Sequence, residues 1–166
     1  MLKKLFILLI VVATIHVAVK RGPEIYRDYF TSIYSAENCR IEISPSFRYK
    51  DDGLLKAIEF MRENSPEYYG KMCQYVTAIE ATDQCNSAAT ACAFGGTKIG
   101  IVRNLERFDT PQIATLLVHE TCHFHQGHTA TPESYRDPNY LSGREAECDS
   151  EDEKFRQKVG GQPLGG

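Results

Sequence analysis

Residues 119–123 read His-Glu-Thr-Cys-His, and this short stretch limits the fold more than any other in the chain. Two histidines four residues apart share a face only if the segment is helical, and there both imidazoles can bind one zinc ion. The glutamate between them then stands beside the open coordination position of the metal. From there it can take a proton from an activated water, which is the chemistry of metal-assisted amide hydrolysis.

The flanking residues agree with a helix. Asp109-Thr110-Pro111-Gln112 has a polar cap followed by a proline near the first helical position, where a missing N–H costs nothing. Ile113, Leu116, Leu117 and Val118 then form an apolar run up to His119, and Gly127 offers a stop. A catalytic zinc takes a third protein ligand and leaves the fourth position to water. Residues 143–149 (GREAECD) supply a candidate: Glu145 and Asp149 share a face if that segment is also helical. Glu145 can then bind metal while Asp149 accepts a hydrogen bond from a ligand imidazole. Glu147 is a rival ligand that points about 200° away around the same helix.

With H-E-x-x-H at 119–123 and E-x-x-x-D at 145–149, the chain resembles the gluzincin metallopeptidases, the thermolysin-like group. The resemblance covers the half of the chain from about Ala88 onward. It implies His119, His123 and Glu145 as zinc ligands, Glu120 as general base and Asp149 as the partner of a ligand imidazole. It also implies that an edge strand upstream of the zinc helix borders a substrate cleft, although a plain core hairpin is the alternative. The metzincin pattern does not apply, because Gly127 is one residue too late and Met1, Met61 and Met72 all lie upstream. The donor that would face a developing oxyanion stays open among Tyr135, Tyr140, His128 and Arg144. His125 and His128 read as surface residues or neighbours of the ligands.

The chain opens with Met1-Leu2-Lys3-Lys4, an apolar run over residues 5–19, and then Lys20-Arg21. This is a basic region followed by an apolar stretch of secretory length, so residues 1–21 read as a signal peptide or a signal anchor. In the second case residues 5–19 tether the domain to a membrane. Six cysteines in an exported chain allow three disulfides, and none shows C-x-x-C spacing. Cys122 and Cys148 lie inside the two motifs, on helices that must approach one metal, so a Cys122–Cys148 bridge is expected to staple them. Cys85 with Cys92 closes a short loop, which leaves Cys39 with Cys73.

Residues 22–159 suffice for one domain with a real core. Four-residue spacing of Ile25, Tyr29 and Ile33 predicts a helix over 23–37; alternation predicts a strand over 40–49. A helix is expected over 52–64 and a strand over 73–80, the latter from its β-branched and aromatic content. Strands over 88–94 and 97–102 meet at Gly95-Gly96. The acidic last helix should end near Lys158, with 160–166 a flexible tail.

These elements predict an α+β, zincin-like domain: a short, mostly antiparallel sheet packed on the H-E-x-x-H helix and a second ligand-bearing helix. The expected activity is that of an exported zinc-dependent metallopeptidase acting on a peptide or protein. Alternatives are a catalytically silent zinc-binding domain and a disulfide-stapled interaction domain at the cell surface. A net charge of −3 argues against a nucleic-acid partner.

Overall fold

The computed structural model describes residues 32–36, 38–44, 52–82, 85, 90–94, 96–101, 105–129 and 139–160. They belong to a compact unit spanning Ser32–Gly166. The leader at 1–21 and residues 161–166 of the expected tail lie outside the described residues. Among the described residues, no helix is long and apolar enough to cross a membrane.

Alternation builds the first hairpin. Along β2 (Cys39–Ile43), Cys39, Ile41 and Ile43 are buried while Arg40 and Glu42 face solvent. Strand β1 (Ser32–Ala36) pairs antiparallel with it, Ser32 opposite Ile43 and Ala36 opposite Cys39. This corrects the last part of the helix expected over 23–37. Ile33, which helical spacing would turn inward, is 50 % exposed, and its neighbour Tyr34 is the buried residue. Pairing with the strand that follows overrides the local four-residue pattern. Residues 23–31 lie outside the described set, as do 45–49 of the strand expected there.

Helix α1 (Asp52–Asn64) occupies the span its apolar spacing predicts, with Leu54, Ala57, Ile58 and Met61 fully buried. Helix α2 (Pro66–Tyr75) follows after Ser65 and has proline in its first turn. The expected strand over 73–80 is therefore corrected: residues 73–75 are the last turn of α2, and β3 (Ala78–Ala81) begins only after Val76 and Thr77. Tyr68, Tyr69, Met72 and Val76 are buried together, so packing of a helical stripe wins over the β-propensity of single residues.

Strands β4 (Ala91–Phe94) and β5 (Lys98–Ile101) form the second hairpin, turned at Gly96 with φ of 82°. The five strands lie in the order β1-β2-β3-β5-β4. Antiparallel hairpins form both margins of the sheet, and β3 joins them through parallel pairing with β2 and β5. The architecture is α+β, as the sequence indicates.

Two long helices complete the unit. Helix α3 (Thr110–Thr129) packs against α1, α2, β4 and β5, and α4 (Tyr140–Val159) packs against α3. Helix α3 continues past Gly127, which does not end it. Helix α4 stops at Gly160, whose φ of 67° is the left-handed geometry of a helix end. Three disulfides join Cys39 to Cys73, Cys85 to Cys92 and Cys122 to Cys148, the pairing expected from the sequence. Such a set suits an oxidising compartment.

Candidate metal centre

The start of α3 is fixed by a reciprocal cap. The Gln112 backbone N–H donates to Asp109 Oδ1 at 2.9 Å, and Gln112 Oε1 accepts from the Asp109 N–H at 3.0 Å. From there Ile113, Ala114, Leu116, Leu117 and Val118 are buried, which anchors the helix in the core. The hydroxyls of Thr115 and Thr121 are satisfied by carbonyls one turn back, at 2.9 and 2.7 Å. His119 and His123 therefore project from a rigid element, one turn apart, with ring centroids 4.8 Å from each other.

Helix α4 offers α3 a single inward stripe. Cys148, Asp152 and Phe155 are buried on it, and Val159 is partly covered. Glu145 precedes Cys148 by one turn and reaches the same face. Its Oε2 lies 3.5 Å from His119 Nε2 and 3.5 Å from His123 Nε2, and the two nitrogens are 3.1 Å apart. Three atoms at these separations stand about 2.0 Å from a common centre, matching zinc–nitrogen and zinc–oxygen bonds of roughly 2.0–2.2 Å.

The other side of each ring makes that arrangement meaningful. His119 Nδ1 lies 3.0 Å from Asp152 Oδ2, and His123 Nδ1 lies 3.3 Å from Gln126 Oε1. Both partners are acceptors, so each ring carries a proton on Nδ1 and turns Nε2 inward. Two Nε2 atoms and a carboxylate face one another, an arrangement that calls for a proton or a metal ion between them. His119, His123 and Glu145 thus form a group that can hold a metal ion. A second such group, His119 with Asp149 and Asp152, uses the protonated side of the same imidazole.

Titration behaviour follows from these contacts. Burial opposes charge on His119, but the hydrogen bond and charge of Asp152 outweigh it and raise its pKa to about 9. Burial holds His123 below its ordinary value; Glu145 opposes this and the His119 charge adds to it. Burial raises Asp152 against the pull of His119. One proton between the facing nitrogens thus stands where a metal ion would replace it. Glu120 is 5 % exposed, and burial raises its carboxyl to about 7. His119 and a hydrogen bond with the Ala93 backbone oppose that rise, while Glu145 and Asp152 add to it. The general-base candidate therefore faces β4, with a pKa in the range suited to proton transfer near neutrality.

The structure brings His119, His123 and Glu145 together and places Glu120 beside them. Asp149 is different. Its Oδ1 lies 3.8 Å from His119 Nδ1, too long for a hydrogen bond, and its side chain is 72 % exposed. Asp152 holds His119 in its place. The signal for this was the inward stripe: Asp152 falls between Cys148 and Phe155, whereas Asp149 falls at its outer edge. Gln126, one turn beyond His123, also escaped the sequence reading. Glu147 accepts from Gln126 Nε2 at 2.9 Å and is not among the grouped donors. Among the oxyanion candidates, Arg144 is engaged with Gln126 and the His123 carbonyl, and the His128 ring stacks 5.1 Å from Tyr75. The Arg144 guanidinium also covers the Tyr140 ring at 5.3 Å, and Tyr135 lies outside the described residues. His125 Nδ1 meets the Tyr75 hydroxyl at 3.0 Å, away from the ligand face.

Comparison with protein-family models, curated proteins and solved structures gives no significant match.

Proposed function

We propose that this chain is an exported, zinc-dependent metallopeptidase of gluzincin-like type. The observation that carries the reading is the convergence of two inward-facing imidazole Nε2 atoms and the Glu145 carboxylate, with a buried glutamate next to them. His119, His123 and Glu145 would hold the zinc. When bound, zinc supplies Lewis-acid chemistry, polarising a carbonyl and making water more acidic.

The remaining work falls to groups of the chain itself. Asp152 keeps the His119 ring turned so that Nε2 faces inward. Glu120 accepts a proton from water on its carboxylate and returns it to the leaving amine, a task for which its buried place beside the ligand histidines suits it. Strand β4 is the last strand of the sheet and carries Ala93, whose backbone meets Glu120. An extended peptide adding to that edge through backbone hydrogen bonds would lie alongside the glutamate. Small side chains at Ala91 and Ala93 allow the close approach. Export is supported by three disulfides and by the basic and apolar leader of the sequence.

Glu120→Gln tests the assignment. The variant should bind zinc as the wild type does and lose about 10²- to 10⁴-fold in turnover of a quenched peptide library. Near-normal turnover by Glu120→Gln would remove Glu120 from the mechanism. Zinc binding by the wild type with no cleavage of any peptide would favour a silent zinc-binding domain.

A further inference from the structure

Gln126 is 5 % exposed, and its amide is fully used. Oε1 accepts from His123 Nδ1 at 3.3 Å and from Arg144 Nε at 3.0 Å. Nε2 donates to the Arg144 carbonyl at 3.0 Å and to Glu147 Oε2 at 2.9 Å. The arrangement has only one orientation. A guanidinium N–H can only donate, so the amide oxygen must face it; a carbonyl and a carboxylate only accept, so the amide nitrogen must face them. With the oxygen fixed beside His123, the imidazole nitrogen there has to be the N–H, and Nε2 is left bare toward His119 and Glu145.

Arg144 is the residue before Glu145, and its guanidinium also donates to the His123 carbonyl at 3.1 Å. The contact that orients the amide therefore forms only when α4 is seated on α3, and seating α4 is also what delivers Glu145.

We infer that Gln126 and Arg144 are a positioning relay that sets the His123 tautomer and couples it to docking of the helix that carries Glu145. The relay rests on the metal-centre reading above for its purpose, though not for its existence. It means that two ligands become competent in one step: α4 out of place leaves the amide free to flip and His123 free to protonate on either nitrogen.

The test uses the full chain with all three disulfides formed, as wild type, Gln126→Met, Arg144→Met and Arg144→Lys. Two readings are taken. Nitrogen NMR of the imidazoles in the zinc-free protein reports which ring nitrogen of His123 carries the proton, and competition with a chromogenic chelator reports zinc affinity. The relay predicts an Nδ1 proton in the wild type, a mixture of tautomers in Gln126→Met, and a smaller but measurable Nε2 share in the Arg144 variants, where Glu147 and the residue-144 carbonyl still hold the amide nitrogen. Zinc should bind roughly 10- to 100-fold more weakly in Gln126→Met, the range for partners of ligand histidines, and less weakly than that, but measurably, in the Arg144 variants. Arg144→Lys keeps a charge and a donor at a half-buried position but not the fork that meets Gln126 and the His123 carbonyl together, so both effects should be smaller than in Arg144→Met, with the zinc-free melting temperature nearly unchanged. A merely structural clamp would move melting temperature and affinity together and leave the tautomer alone. An Nε2 proton in the wild type, or variants that keep both tautomer and affinity, overturns the relay. A wild type with the Nδ1 proton that binds no zinc overturns the metal reading and not the relay.

Discussion

Helices α3 and α4 are of equal length, twenty residues each, yet they hold their parts of the site in opposite ways. Helix α3 runs through the core, touching α1, α2, β4, β5 and α4, so the backbone positions of His119 and His123 follow chiefly from apolar burial. Helix α4 lies on the outside of the unit, against α3 and, through Phe155, Glu151 and Lys158, against α2, and leaves the Glu145 side chain 63 % exposed. Its register comes from specific devices: Cys148 bonded to Cys122, Asp152 on His119, Phe155 in the core, and Arg144 on Gln126. The site is thus built between a helix set by hydrophobic packing and one set by a few directed contacts. Metal affinity should be sensitive to the second helix in places where overall stability is not.

The disulfides offer the largest test of that difference. Cys122–Cys148 and Cys39–Cys73 close comparable loops, separated by 26 and 34 residues. Replacing either pair by serine should cost about 3.5–4 kcal/mol by the loop-entropy relation, measured by denaturant unfolding of the zinc-free protein. Only the Cys122→Ser/Cys148→Ser protein should also lose zinc affinity in chelator competition, because only that bridge joins the ligand helices. Equal losses of zinc affinity in both pairs would mean that the site depends on global stability and that the contrast between the helices is false.

Smaller effects sharpen the comparison within α4. Asp152→Asn should weaken zinc by roughly 10- to 100-fold, since it removes the charge that orients His119. Asp149→Asn should change zinc affinity by no more than about 2-fold, as expected for an exposed charge without a hydrogen bond to the ring. Chelator competition on the two variants side by side decides the matter, and the reverse order would return the role to Asp149.

What was legible in the sequence follows the same division. Helix α3 could be read from its cap, its apolar run and its histidine spacing, because all three signals are local. The hairpin at Gly96 and the span of α1 were legible for the same reason. The Cys122–Cys148 bridge followed from placing both cysteines on helices that meet. Strand β1 was not legible, since its conformation depends on pairing with β2 and Ile33 kept helical spacing with residues before it. Helix α2 was hidden by aromatic residues that favour strands one at a time but pack as a stripe. The choice between Asp149 and Asp152 turns on which side of α4 meets α3. The i, i+4 spacing of E-x-x-x-D does not carry that information, whereas Cys148 and Phe155 do.

The most direct test of the metal centre is the metal content of the purified full chain by elemental analysis, wild type beside His123→Ala and Glu145→Ala. The account predicts about one zinc per wild-type chain and its loss from both variants. Wild-type protein without zinc after refolding with the metal, or zinc retained in His123→Ala, would contradict it.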